Sequence, residues 1–238
     1  MRPNDQRPPE AAPSALADTL VNRLTTAYAA AADPVRARSM AAYMKDAAPF
    51  LGIRTPLRRE LSKAVTAGTP KPAEADVTAL VLRCWELPER EYHYFAVDYL
   101  RRHVGVCSSG FLPVVRRLVV TVPWWDTVDL LAAHAAGPLV AADPALTAVM
   151  DDWIGAEDVW LARTALLHQL RYKSDTDAER LFAYCRRRGG HPDFFIRKAI
   201  GWALREYAKT DPEAVRAFVA AERDALSPLS AREALKNL

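Results

Sequence analysis

ARTALLHQLRYK (162–173) and IRKAIGWALREY (196–207) lie 34 residues apart and echo each other. Ala165 matches Ala199, Leu170 matches Leu204 and Arg171 matches Arg205. Ala96 in YFAVDYLRR and Ala132 in DLLAAHAAG extend the series upstream. A degenerate period near 35, built from paired helices, is the mark of a stacked helical-repeat array. The expected fold class is therefore all-α, a HEAT-like helical-repeat solenoid of the ARM/HEAT superhelix type. Such stacks present one concave surface made from one helix per repeat. The echo is degenerate, so an irregular helical bundle stays open as the alternative.

The rest of the chain agrees with helix. Apolar residues recur at three- and four-residue steps, as in Leu16, Leu20, Leu24 and Ala27. Alanine is abundant and glycine scarce, and no run alternates as a strand would. Asp33-Pro34, Thr55-Pro56, Asp143-Pro144 and Asp211-Pro212 each offer a cap residue followed by proline at the first helical position. The pattern predicts helices at 15–31, 34–47, 56–67, 73–85, 89–103, 108–120, 123–135, 143–153, 157–171, 175–188, 192–208 and 211–223. Residues 1–13 are polar and proline-rich and read as a flexible leader; 14–238 read as a single HEAT-like repeat domain.

Composition bounds the function. Of 238 residues, half are hydrophobic and 26% charged, a globular balance. Mean hydropathy is −0.12. No stretch of 18 apolar residues occurs, and the N-terminus lacks the apolar core of a secretory signal, so a cytoplasmic protein with no membrane partner is expected. Cys84, Cys107 and Cys185 are odd in number and show no C-x-x-C spacing, and the five histidines show no metal-ligand spacing. Neither a disulfide framework nor a metal is expected. His168 reads as a hydrogen-bonded core residue, and His93, His103, His134 and His191 as surface or turn positions. Walker, G-x-S-x-G and H-E-x-x-H motifs are absent, which removes support for the common nucleotide, hydrolase and zinc-protease readings. The net charge is only +3. Its distribution is more telling: residues 141–160 hold five acids and no base, whereas 160–209 hold eleven bases and five acids. An oriented charge of this kind suits either a polyanion or an ordinary helix surface.

PWWDTVDLL (123–131) is the densest candidate for chemistry. Trp125 and Asp129 stand four apart, on one face of a helix. A tryptophan pair alone is usually core packing, and a lone Asp is usually solvated or salt-bridged. Arg163 and Trp202 sit on the later repeated helices. If the register of the stack holds, Trp125, Asp129, Arg163 and Trp202 face one groove. A carboxylate between two indole faces would suit a substrate that is cationic or becomes so in its transition state. Glycosidic cleavage passes through such a state. An N3- or N7-alkylated purine is already positive and leaves without a general acid, so one carboxylate would suffice. Arg163 would then hold phosphate. The Arg186-Arg187-Arg188-Gly189-Gly190 run ends a helix and could also touch phosphate.

Four motifs resemble the bacterial DNA alkylation repair enzymes of the AlkD type. They are YMKDAAPFLGIRTPLRRE (43–60), the PWWDTVD run, the WLARTALLHQLRYK helix and FFIRKAIGWALREYAK. The resemblance spans residue 16 to the LSPLSAREALKNL tail. It implies a solenoid with duplex DNA in a concave, basic groove. It further implies metal- and cofactor-free hydrolysis of N3-alkyladenine and N7-alkylguanine glycosidic bonds, as in a DNA-3-methyladenine/7-methylguanine glycosylase of base excision repair. Carried over by motif, Asp129 is the catalytic carboxylate, flanked by Trp125 and Trp202. Arg163 is the groove arginine and Tyr43 an early DNA-facing residue. Thr55 and Arg59, in the matching GIRTPLRR turn, are expected at phosphate. The expected partner is double-stranded DNA containing alkylated purines, and the expected state a monomer in the bacterial cytosol. A non-enzymatic repeat scaffold and a non-catalytic DNA-structure binder are the competing readings.

Overall fold

The computed structural model describes residues 12–238, so the leader expected at 1–13 lies almost wholly outside the described residues. Among those residues every regular element is helical and no strand occurs. Two compact units divide the chain, one ending at Thr127 and the other starting at Val128. The first holds α1 (Ala15–Ala30), α2 (Pro34–Tyr43), α3 (Thr55–Thr66), α4 (Glu74–Glu86), α5 (Arg90–His103) and α6 (Leu112–Val120). Helix α7 (Trp125–Leu131) carries the boundary between the units within it. The second unit continues with α8 (Gly137–Ala142), α9 (Thr147–Trp153), α10 (Val159–Leu167), α11 (Ala178–Arg188), α12 (Phe194–Tyr207), α13 (Pro212–Ala221) and α14 (Pro228–Ala234). Among the described residues no helix is long and apolar enough to cross a membrane.

In the first unit α1 packs on α3 and α4, and α4 packs on α5 and α6. In the second, α10 packs on α9, α11 and α12, while α12 packs on α14. The alanines of the echo, Ala96, Ala132, Ala165 and Ala199, are all buried. The repeat also appears as bonds. Tyr28 pairs with Ser62, 34 residues away, and Trp85 donates to the Thr121 carbonyl, 36 away. In the second unit Tyr172 donates to the Gly137 carbonyl, 35 away, Arg188 to that of Ile154, 34 away, and Ser230 to that of Arg197, 33 away. A side chain reaching one period along the chain thus joins successive helix pairs.

Helix starts follow the capping signals. Asp33, Asp143 and Asp211 each accept from a backbone N–H of the turn that they open. Thr55 differs from expectation: Arg54 is the cap residue, Thr55 is already helical, and no side chain caps that turn. The helix expected at 123–135 is also displaced. Pro123 and Trp124 remain irregular and α7 opens at Trp125. It then passes through a π turn, Ala132–Ala136, and continues as α8 from Gly137-Pro138, past the expected end at 135. Proline lacks an N–H to donate backward, and the widened turn ahead of it accommodates that loss. At the other end of α10, the His168 Nδ1 lies 2.7 Å from the Ala165 carbonyl, an acceptor the expected continuation to 171 would use. The helix Pro228–Ala234 was not expected from periodicity.

The GIRTP turn is fixed from beneath. Glu91 is fully buried and its carboxylate accepts from the backbone N–H groups of Leu51, Gly52 and Ile53 at 2.9, 2.8 and 3.0 Å. Gly52 has φ +87°, and a Cβ there would meet the Asp33 carbonyl oxygen at 2.2 Å. His93, expected at the surface, is instead fully buried; it stacks on Trp85 with ring centroids 4.7 Å apart. His168 is buried and hydrogen-bonded, as expected.

Two outcomes follow from these buried groups. Glu91→Gln replaces one acceptor oxygen by a donor that faces a backbone N–H, so it should lower stability by about 2 kcal/mol. Hydrogen exchange should quicken at residues 51–53, and exchange left unchanged would show that the carboxylate does not hold the turn. Burial depresses both His93 and His168 from 6.5 to about 4. Between these values the unfolded chain binds more protons than the folded one. Stability is therefore fully present above about pH 6.5 and falls as the pH drops toward 4. Urea unfolding across this window should show the slope, and His168→Gln should reduce it. A flat profile would refute the assignment.

Candidate functional site

The second half of α7 and the helices around α10 place a carboxylate and an arginine together. Asp129 and Arg163 stand 34 residues apart, one repeat period. Arg163 Nε donates to Asp129 Oδ1 at 2.6 Å and Nη2 to Oδ2 at 2.8 Å. This is a planar two-bond fork, the strongest form of the pair. Arg163 is only 4% exposed and Asp129 8%. The remaining Arg163 terminus, Nη1, donates to the carbonyl of Phe195 on α12. Its guanidinium carbon lies 5.9 Å from the centre of the Phe195 ring, which itself packs on Trp160 at 4.9 Å.

Arg163 is thus turned inward onto Asp129 and Phe195. Two charges taken out of water need such mutual satisfaction, because each alone would cost several kcal/mol. A carboxylate has about four lone-pair positions, and the fork occupies two. The fork holds the Asp129 carboxylate in place.

The other expected residues lie as follows. Trp125 opens α7, four residues before Asp129, and is 37% exposed. Trp202 lies on α12, seven residues beyond Phe195, and is half-buried. Tyr43 ends α2 and is 76% exposed, while Thr55 and Arg59 are exposed on the first turns of α3. Arg58, beside them, is buried and ion-paired with Asp98 at 2.9 Å. The Arg186–Arg188 run is engaged internally. Arg186 pairs with Glu222 at 2.6 Å, Arg187 donates to the Asp151 carbonyl at 3.3 Å, and Arg188 donates to the carbonyls of Ile154 and Ala156 just past α9. A cavity of about 200 Å³ lined in part by Leu166, Gln169, Lys173, Tyr207 and Lys209 includes neither Asp129 nor Arg163. Among the described residues no group of three or more His, Cys, Asp or Glu side chains could hold a metal ion.

A second network in the first unit escaped sequence reasoning. Arg90 is almost fully buried at the start of α5. Its Nε and Nη2 meet Asp126 Oδ2 and Oδ1 at 3.1 and 2.6 Å. Nη2 also donates to Thr127 Oγ1 at 2.8 Å, and Nη1 to the Val122 carbonyl at 2.8 Å. Tyr94 donates to Asp126 Oδ2 at 2.5 Å. The signal was available: the 36-residue step from Ala96 to Ala132 carries Arg90 onto Asp126 as well.

Comparison with known proteins agrees with this architecture. The family model for the DNA alkylation repair enzyme matches residues 24–238. A solved structure described as a predicted DNA alkylation repair enzyme from Enterococcus faecalis is 33% identical, with a TM-score of 0.80 over 87% of this chain and 96% of that one. No match was found among curated proteins. With a helical architecture shared over nearly its full length, this chain belongs to the DNA alkylation repair enzyme family.

Proposed function

We propose that this chain is an alkylpurine DNA glycosylase, which hydrolyses the N-glycosidic bond of cationic N3- and N7-alkylated purines in duplex DNA. The observation that carries the reading is the buried Asp129 carboxylate, held in a two-bond fork by Arg163. Family membership supports a role in DNA repair. Asp129, Trp125 and Trp202 are the proposed catalytic set.

The chemistry requires little else. The alkylated base already carries a positive charge. When the C1′–N bond breaks, the base leaves as a neutral molecule with the bonding pair, and positive charge passes to the sugar. A fixed carboxylate stabilises that oxocarbenium-like sugar without reorganising. It can also accept a hydrogen bond from the water that attacks C1′, and the released proton passes to solvent. Indole faces attract cations, which is the contribution proposed for Trp125 and Trp202. Arg163 acts as a positioning residue for Asp129. Phosphate contact is assigned to Tyr43, Thr55 and Arg59, all exposed on α2 and α3. The uncapped first turn of α3 leaves backbone N–H groups for the same purpose.

One observation favours a second reading. Arg90–Asp126 is also a buried fork one period apart, so Arg163–Asp129 could be a structural staple of the repeat. Substitution separates the two. On duplex DNA containing N7-methylguanine, the wild type should release the base. Asp129→Asn should lose on the order of 100-fold or more in rate while still binding DNA. Absence of release by a folded wild type would refute the glycosylase reading; an equally active variant would leave the staple. Arg163→Ala breaks a buried pair from one side and should cost about 3–5 kcal/mol of stability. Its DNA affinity should keep the same salt dependence, since no phosphate contact is lost. A flatter salt slope would return Arg163 to the phosphate.

A further inference from the structure

Val122 is an unusual residue to find where it is. It is β-branched, it precedes a proline, and it has φ +48°. That region is costly for a branched side chain, and such strain persists only where the surroundings over-determine it. Two side chains do so here. Trp85 Nε1 donates to the Thr121 carbonyl at 2.8 Å, Arg90 Nη1 donates to the Val122 carbonyl at 2.8 Å, and Arg90 also binds Asp126 and Thr127 just downstream. Thr127 in turn donates from N and Oγ1 to the Trp124 carbonyl, both at 3.3 Å. Val122 on one side of the tryptophan pair, and Asp126 and Thr127 on the other, are thus tied to one guanidinium, and Thr127 holds the Trp124 carbonyl.

The guanidinium is fully used. Nε–H goes to Asp126, the two Nη2 hydrogens to Asp126 and Thr127, and the Nη1 hydrogens to Val122 and His93 Nδ1, the last at 3.3 Å. His93 accepts because it is neutral and its Nε2–H faces the Leu87 carbonyl at 3.0 Å. Only an arginine has five donors in a plane; a lysine, with three on a tetrahedral nitrogen, cannot occupy these positions together.

We infer that Arg90 is a positioning residue for the proposed reaction: it holds the Val122 turn in its strained conformation and so fixes the direction in which Trp125 leaves that turn. The inference rests on the glycosylase reading for its effect on rate. The clamp itself is a property of residues 85–127 and has its own readout. Strain stored next to Trp125 means that the turn relaxes once the clamp is weakened, and the indole moves with it.

The test uses 5-fluorotryptophan-labelled full-length protein, with the Trp125 resonance assigned by Trp125→Phe. Arg90→Lys should shift or broaden that resonance and lower kcat on N7-methylguanine duplex at least tenfold, with KM changed much less. Glycine adopts φ +48° without strain, so Val122→Gly added to Arg90→Lys should restore the resonance and recover part of kcat. A merely structural arginine predicts the opposite, a double variant no better than Arg90→Lys. Tyr94→Phe removes one bond to Asp126 and keeps the fork, so it should move the resonance the same way by less. It carries the test should Arg90→Lys not fold. An unmoved Trp125 resonance in the folded variants would overturn the inference. Should the wild type release no base while the resonance responds as described, the clamp stands and the glycosylase reading fails.

Discussion

A buried guanidinium constrains everything near it. It offers five N–H groups in one plane and cannot shed its charge, so the fold must supply a carboxylate and several further acceptors in a fixed arrangement. The chain meets that demand twice, at Arg90 and at Arg163. Each arginine draws its carboxylate from a residue one repeat period away and spends its last nitrogen on a backbone carbonyl. Apolar packing builds the helix pairs, and within each unit the fork ties one helix pair to the next.

The carboxylates in these forks differ in their neighbours. Asp126 is approached by Arg90, by the Tyr94 hydroxyl and by the Thr127 amide, so its lone pairs are nearly spoken for. Asp129 has the Arg163 fork and retains a tenth of its side-chain surface. These two aspartates stand three positions apart on α7 and meet different partners. Asp126 is engaged in holding the turn, and Asp129 is held by Arg163.

Much of the helical pattern could be read from the chain, because helix periodicity and Asp-Pro caps are local signals. The four alanines of the echo were legible for the same reason: a position buried in successive pairs selects small residues each time. What escaped depends on partners distant in sequence. His93 reads as a polar surface residue until Trp85 and Arg90 are seen to enclose it. The Arg163–Asp129 pair shows only when its spacing is compared with the repeat period. The Val-Pro step at 122–123 suggests extended backbone by local preference, and only the tertiary clamp makes φ positive there. The run of helix past 135 is not legible because a π turn leaves no compositional trace.

That π turn has an effect on geometry. It adds one residue to the helix, and a single residue rotates everything after it by roughly 100°. Gly137 owes its orientation to this offset, since a Cβ at that position would lie 2.3 Å from the His168 carbonyl oxygen. Ala132–Ala136 is thus an adapter between two phases of one continuous rod, the first aiming Asp129 and the second fitting Gly137 beneath its neighbour. Sequence length in this stretch is therefore more tightly constrained than sequence identity. Removing or adding one alanine would leave the composition intact and still turn one half of the rod away from the surface that it fits.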